Sequence, residues 1–289
     1  MYHQRHMNTS VPVVAPAPLV TFYGPAGRLW AVVRATVRAY LKRSHAYLID
    51  ILRVPLYPLF TFATWRITYA LSGRGHVAGA AVSGFLLVGM LGMITWTSTI
   101  WSSGYAIEYE RAEGTVGALF LSPASRVAVI AGYGLGSFLW LAPSFAVVIA
   151  LALATGARLR VADPVAAVAA VAALLLASLA TGFACAGLFV LSRRGNLLAN
   201  FLQLPIYLLA GFLVPRGRLP GWLRPVSDAI PAGHAVDALR ATLLNGASLH
   251  DILGDLGATL GLAALYGCVG VISLRRVEYA ARRAGTLDL

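Results

Sequence analysis

Three of the eleven acidic residues in this 289-residue chain, Glu108, Glu110 and Glu113, fall within a single short stretch, Glu-Tyr-Glu-Arg-Ala-Glu-Gly-Thr. With Arg111 among them and Gly114-Thr115 behind, they form a charged strip that could dock against a basic surface, or simply keep a loop in water. The six histidines are scattered, and His234 with Asp237, an i, i+3 pair, reads as a surface contact rather than a proton or metal site. Cys185 and Cys268 both lie in apolar runs and read as small packing residues. No H-E-x-x-H or G-x-S-x-G pattern is present. A phosphate-cradling loop needs a lysine behind glycines, and the only lysine, Lys42, stands in Tyr-Leu-Lys-Arg-Ser. No catalytic, cofactor-binding or metal-binding residue is expected in this chain, so it is not expected to be an enzyme. Any nucleotide would be hydrolysed on another polypeptide.

The elements that must carry this strip are apolar. Residues of the set AVILMFWYC make up 58% of the chain and Asp, Glu, Lys and Arg only 12%, about half the charge of a soluble domain. This excludes intrinsic disorder for most of the chain and points to a polytopic membrane protein. Six spans are predicted, at about 46–70, 79–107, 127–155, 164–192, 195–215 and 254–274. The first carries Asp50, Arg53 and Arg66 near its ends, where local pairing and snorkelling make charge tolerable. Arg and Lys are about twice as frequent on the side of the termini as on the other, which places both termini in the cytoplasm of a multi-pass cell-membrane protein. The net charge of +12 is spread in short clusters between apolar runs, which fits an anionic bilayer surface better than nucleic acid.

Residues 24–45 show helical periodicity, with Leu29, Val32, Val33, Thr36, Val37, Tyr40 and Leu41 on one face and Arg34, Arg38 and Lys42 on the other. Such a helix before a first span is expected to lie on the inner leaflet. Residues 1–23 are expected to form a flexible cytoplasmic tail without a signal peptide, and 276–289 a second cytoplasmic tail, around the six-span region at 46–275. In the acidic loop, Glu110, Glu113 and Gly117 would share one helical side, with Gly114 introducing a bend. Before the last span, Pro215, Pro220, Pro225 and Pro231 break the chain into short helices entering and leaving the outer leaflet, and an apolar helical pattern resumes at Val236–Leu244. Gly132-x-x-x-Gly136 and Gly257-x-x-x-Gly261 permit close helix contact, although 29 glycines supply such spacing by chance.

Taken in order, the amphipathic helix, the Glu108–Pro123 loop with its Glu-x-Glu-Arg-x-x-Gly-Thr and Leu-Ser-Pro pieces, and the Pro215–Arg240 segment resemble the type-2 ABC export permeases. The resemblance implies an all-α fold of six transmembrane helices with an interfacial helix, a cytoplasmic coupling helix and re-entrant helices before the last span. It also implies that Glu108, Glu110, Arg111, Glu113, Gly114 and Thr115 dock on a separate ABC ATPase. Two copies of that ATPase, which carry the ATP and Mg, would drive a pair of permeases, identical or homologous. Trp96, Trp101, Tyr105, Phe201 and Tyr207 would lie on the spans that form the cargo path or dimer interface, with ordinary packing as their alternative role. The charge-free core of the spans suits hydrophobic or amphiphilic cargo such as a drug, antibiotic, lipid or lipid-linked glycan. Two alternatives are an ion-gradient-driven secondary transporter, which needs an acid near the bilayer midplane, and an integral membrane enzyme acting on lipids, which needs convergent polar groups at one membrane face.

Overall fold

The computed structural model describes residues 25–44, 48–73, 75–77, 80–115, 117, 124–191 and 195–284. The tail at 1–23, the Leu-Ser-Pro part of the acidic loop, the chain's last residues and the side chains of Asp50 and Arg53 lie outside this description. The chain begins with helices α1 (Pro25–Ser44) and α2 (Leu48–Leu71), then a hairpin of β1 (His76–Val77) and β2 (Ala80–Ala81). Helix α3 (Val82–Thr99) runs straight into a π-helical turn, Ile100–Gly104, and is followed by α4 (Ala106–Ala112), α5 (Arg126–Trp140) and α6 (Ala142–Ala154). After α7 (Pro164–Leu191) and α8 (Gly195–Leu209) come 3-10 turns at Arg216–Arg218 and Gly221–Leu223, then α9 (Arg224–Asp228), α10 (Pro231–Asn245) and α11 (Leu253–Ala284).

Three helical stretches are long and apolar enough to cross a bilayer: Val82–Gly104, Pro164–Phe189 and Leu253–Arg276. A fourth forms if α5 and α6, bent by 40° at Leu141, count as one span. The bend has a local cause: Pro143 at the start of α6 has no N–H to continue the α5 ladder. The expectation of an all-α polytopic membrane protein therefore holds, with the small hairpin its one departure among the described residues. Two of the expected spans are weaker. Helix α2 carries three charged residues, and α8 has 15 residues, about 22 Å of helix against a hydrocarbon thickness of about 30 Å. The expected span at 79–107 also starts later, because Ala80 and Ala81 belong to the hairpin.

Glycine decides where helices meet. Helix α1 lies along α5, and a Cβ on Gly132 would fall 2.5 Å from Thr36 Cβ, while one on Gly136 would fall 3.0 Å from Tyr40 Cδ1. The apolar face of α1 is thus spent partly on α5, while Leu29 and Trp30 stay exposed beside Arg34, Arg38 and Lys42. Helices α7 and α11 cross where Gly270 meets the Phe183 backbone and Gly187 meets Ser273. Gly257 and Gly261, by contrast, face open space.

Helix α8 stops short because Gly211 turns into the left-handed region at φ 76°. Its end is closed by Gly211 N–H to Leu208 O and Phe212 N–H to Tyr207 O, both 3.1 Å, the pairing of a Schellman motif. The following residues Phe212 and Leu213 are buried, so their carbonyls need protein donors. Arg240 on α10 supplies them: its Nη2 donates to Gly211 O at 2.7 Å and reaches Phe212 O at 3.5 Å. Its guanidinium lies 4.1 Å from the Phe85 ring centroid. Tyr69 Oη donates to Leu213 O at 2.6 Å. Gly89 on α3 makes room, since any Cβ there would collide with the Phe212 carbonyl oxygen. The prolines that follow start rather than merely interrupt helices: Pro225 and Pro231 occupy the first turns of α9 and α10. Helix α10 consequently begins five positions before the expected Val236.

At the same end, Asp163 caps α7 by accepting from Val165 N at 2.9 Å and Ala166 N at 3.1 Å, and its other oxygen accepts from Leu249 N at 2.9 Å. The amides of Ala166 and Leu249, with a smaller share from Val165, hold its carboxyl below the ordinary carboxylate range.

These contacts lead to three expected outcomes. Gly132→Ala lowers the thermal midpoint of the detergent-purified chain by an amount corresponding to about 1–3 kcal/mol of overpacking, whereas Gly257→Ala leaves it unchanged or slightly raised. Arg240→Ala costs about 3–5 kcal/mol, because it strands buried carbonyls and removes a partner of Asp237, and Arg240→Lys recovers only part. The stabilisation from Asp163 is complete above its unfolded pKa of about 3.9 and is lost as pH falls through the depressed folded value. Hydrogen exchange at 246–252 should therefore quicken in that acid window, and Asp163→Asn should abolish the step.

Candidate functional site

A cleft of about 940 Å³ opens at the α4 end of the molecule. Helices α1, α2, α3, α4 and α8 and the α5–α6 bend all contribute to its wall. Two features let it form. Pro58 in α2 cannot donate to Val54 O, and Ser144 beyond the α5–α6 bend donates to that carbonyl instead, at 2.5 Å. The π turn widens α3 where Ser103 donates to Ile130 O at 3.0 Å and where Gly134 and Gly182 leave room for Ser103.

The acidic strip borders this cleft. Its helix, α4, is short and ends in a second Schellman motif, with Gly114 N–H to Arg111 O at 3.1 Å and Thr115 N–H to Glu110 O at 2.9 Å. Gly114 takes φ 71°, so the bend expected there is present. Gly117 does not continue the helical side of Glu110 and Glu113, because the helix has already ended. The three acids have different surroundings. Glu108 pairs with Arg111 at 2.7 Å. Glu110 turns inward, accepting from Tyr133 Oη at 2.8 Å through one oxygen and from Thr115 Oγ1 through the other. Glu113 is exposed, as are Gly114 and Thr115.

The five aromatic residues separate into two contacts and one outlier. Trp96 is buried edge-on against Tyr207, with ring centroids 5.9 Å apart. Tyr207 Oη bonds Thr97 and Gln203, both of which line the cleft. Trp101, a lining residue, packs 5.1 Å from Tyr105, which in turn meets Phe189. Phe201 is 74% exposed on α8.

A second polar cluster occupies the opposite end. Arg216 donates to Ser227 Oγ at 2.9 Å, to Asp237 at 2.8 Å and to Asp228 at 2.5 Å. Asp237 also meets Arg240 at 3.4 Å. His234 therefore faces not Asp237 but Asp255, at 3.5 Å. No group of three or more potential metal ligands occurs among the described residues. The cysteines also differ from expectation in part: Cys185 is partly buried, but Cys268 is exposed on α11.

Sequence reasoning passed over Arg43, Tyr133, Arg216 and Arg240. The last two had a usable signal, since charged residues are scarce and Arg240 stands in the apolar run Val-Asp-Ala-Leu-Arg-Ala-Thr-Leu-Leu. Arg43 and Tyr133 had none, because their meeting depends on how α1 seats on α5.

Comparison with known proteins agrees with this architecture. No curated protein matches the chain. A family model described as ABC-2 type transporter matches residues 27–244, a stretch from the start of α1 to the end of α10. Permeases of that family work in complexes with an ABC ATPase. The match covers most of the chain, and the protein belongs to the ABC-2 type transporter family as the membrane-embedded permease of an ABC transporter.

Proposed function

We propose that this permease is the membrane subunit of an ATP-driven exporter that moves a hydrophobic or amphiphilic substrate out of the cell. The observation that carries the reading is the placement of the acidic strip: α4 follows α3 and its π turn almost without interruption, and the same residues border the cleft. A push on α4 is thereby a push on the cleft wall. In this reading α4 is the coupling helix, docked by Glu113 and its neighbours on an ATPase subunit. The ATPase binds ATP and Mg, and this chain performs no catalysis. Two permeases and two ATPases form the complex, which alternates between inward-open and outward-open states as nucleotide biases the equilibrium. Helix α1 lies along the inner leaflet with Arg34, Arg38 and Lys42 toward anionic lipid. Both termini are cytoplasmic in the cell membrane, and α2 and α8 complete six spans, the short α8 being continued by the buried Ala210–Leu213 segment.

The cleft and the apolar helix surfaces favour this reading over its alternatives. A secondary transporter would need a charged relay on the spans, and the acid nearest the cleft interior, Glu110, is held by Tyr133 and Thr115 at the α4 end. A lipid-modifying enzyme would need a convergent catalytic set. Thr97 and Gln203 of the cleft wall instead share the Tyr207 hydroxyl.

Docking is tested by charge reversal. Glu113→Lys should lower the yield of ATPase co-purified with the tagged chain about tenfold, the effect of losing a close interfacial charge pair, with membrane insertion unchanged. Glu110→Lys should lower it too, together with the thermal midpoint, because it also breaks the Tyr133 contact. Full ATPase yield from both variants would remove α4 from the docking role.

A further inference from the structure

The lining of the cleft includes a cation for which no ion pair occurs among the described residues. Arg43, at the end of α1, is the only cation among the described residues lining it. Its guanidinium carbon lies 4.7 Å from the Tyr109 ring centroid, 5.4 Å from that of Tyr133 and 6.0 Å from that of Tyr40. No carboxylate pairs with it among the described residues. The two acids of the cleft are otherwise disposed: Glu110 has both oxygens occupied by Tyr133 and Thr115, and Glu113 is exposed.

Aromatic rings suit the faces of a guanidinium, which stacks because it is weakly hydrated. The Tyr133 hydroxyl can take one N–H of the guanidinium, and the others are directed in a fork that matches a phosphate or carboxylate. A half-buried charge held this way gains most from a ligand that brings the missing anion. The remaining wall of the cleft includes Val54, Ile94, Trp101, Trp140 and Leu141, enough apolar surface for a hydrocarbon or aromatic tail. We infer that the cleft binds an amphiphile with an anionic headgroup, a phosphate or carboxylate, whose charge pairs with Arg43 and whose tail lies along Ile94, Trp101 and Leu141. The inference rests on the exporter reading only in treating this amphiphile as cargo.

The test uses the full chain in nanodiscs of neutral lipid, read by the fluorescence of its tryptophans, two of which line the cleft. Dodecyl phosphate, dodecyl trimethylammonium and dodecyl maltoside share a tail and differ in headgroup charge. The phosphate is expected to bind at least about tenfold more tightly than the other two. Arg43→Gln should remove that preference without weakening the neutral compound, and Arg43→Lys should keep most of it. Inorganic phosphate separates a headgroup site from a free-anion site. Weak competition at millimolar concentration supports the amphiphile, and binding as tight as that of dodecyl phosphate overturns it. Phosphatidic acid added to the nanodisc distinguishes a resident lipid, which competes, from a separate cargo, which does not; both carry the inferred headgroup chemistry. Equal binding of the three headgroups overturns the inference, as does undiminished phosphate preference in Arg43→Gln. Should that variant fail to fold, the headgroup series on the native chain decides alone. Charge-selective binding by a chain that never captures an ATPase would keep the site and remove the exporter reading. An ATPase-bearing preparation without charge selection would do the reverse.

Discussion

A backbone carbonyl that loses its helical donor inside a bilayer has no water to turn to, and both ends of this molecule are organised around places where that happens. At the end of α8 the chain leaves the helix at Gly211 while still buried, and the guanidinium of Arg240 takes up the carbonyls of Gly211 and Phe212. A buried guanidinium then needs its own anion. Asp237 provides it and is shared with Arg216, which also holds Asp228 and Ser227. One missing run of helical bonds thus requires a charge network that joins the α8 exit to α9 and α10. The hydrogen bond from Tyr69 adds α2, and Gly89 adds α3 by admitting the Phe212 backbone.

The α4 end handles its broken ladders with neutral groups. Ser144 serves the carbonyl that Pro58 abandons, and Ser103 serves Ile130 next to the π turn. Hydroxyl donors make single contacts and bring no charge to be balanced, so the elements here are joined pairwise rather than through a shared network. This difference in bonding places the large cleft where α1, α2, α4 and α8 are separated by space, and leaves the opposite end filled by Phe85, Phe212, Leu213, Val236 and Leu239. Under the exporter reading, rearrangement would begin in the helices around the cleft.

Much of this was legible in the residues, and the misses have physical reasons. Low charge and long apolar runs identify the membrane class without any structure. Gly114 marks the end of α4 because no other residue takes its φ without cost. The two glycine pairs show the limit of pattern: Gly132 and Gly136 receive α1, whereas Gly257 and Gly261 receive nothing, and the motif is the same in both. Helix α3 begins at Val82 rather than 79, and α8 ends at Leu209 rather than 215, for a related reason. Apolar composition continues through Ala80–Ala81 and Ala210–Leu213, and only tertiary partners make a hairpin of the first and a buried turn of the second. The three acids looked alike in sequence. Their division into a paired Glu108, an inward Glu110 and an exposed Glu113 depends on Tyr133, which lies on another helix.

That division gives the acidic strip a mechanical meaning under the exporter reading. Glu113 and Glu110 are one helical turn apart, so a partner that grips the first moves the second with it. Glu110 is bonded to Tyr133 on α5, and the Tyr133 ring packs edge-on against Tyr40 on α1, at 5.9 Å, and lies beside Arg43. Displacement of α4 is therefore passed to two further walls of the cleft through contacts that are short, specific and few. Arg43 lies where those contacts converge. An anion bound at Arg43 would compete with the rings of Tyr109 and Tyr133 for the same guanidinium, and in doing so would alter the link between α4 and α1. Occupancy of the cleft and the position of the docking segment would then be two readings of one equilibrium, each biasing the other by the same free energy.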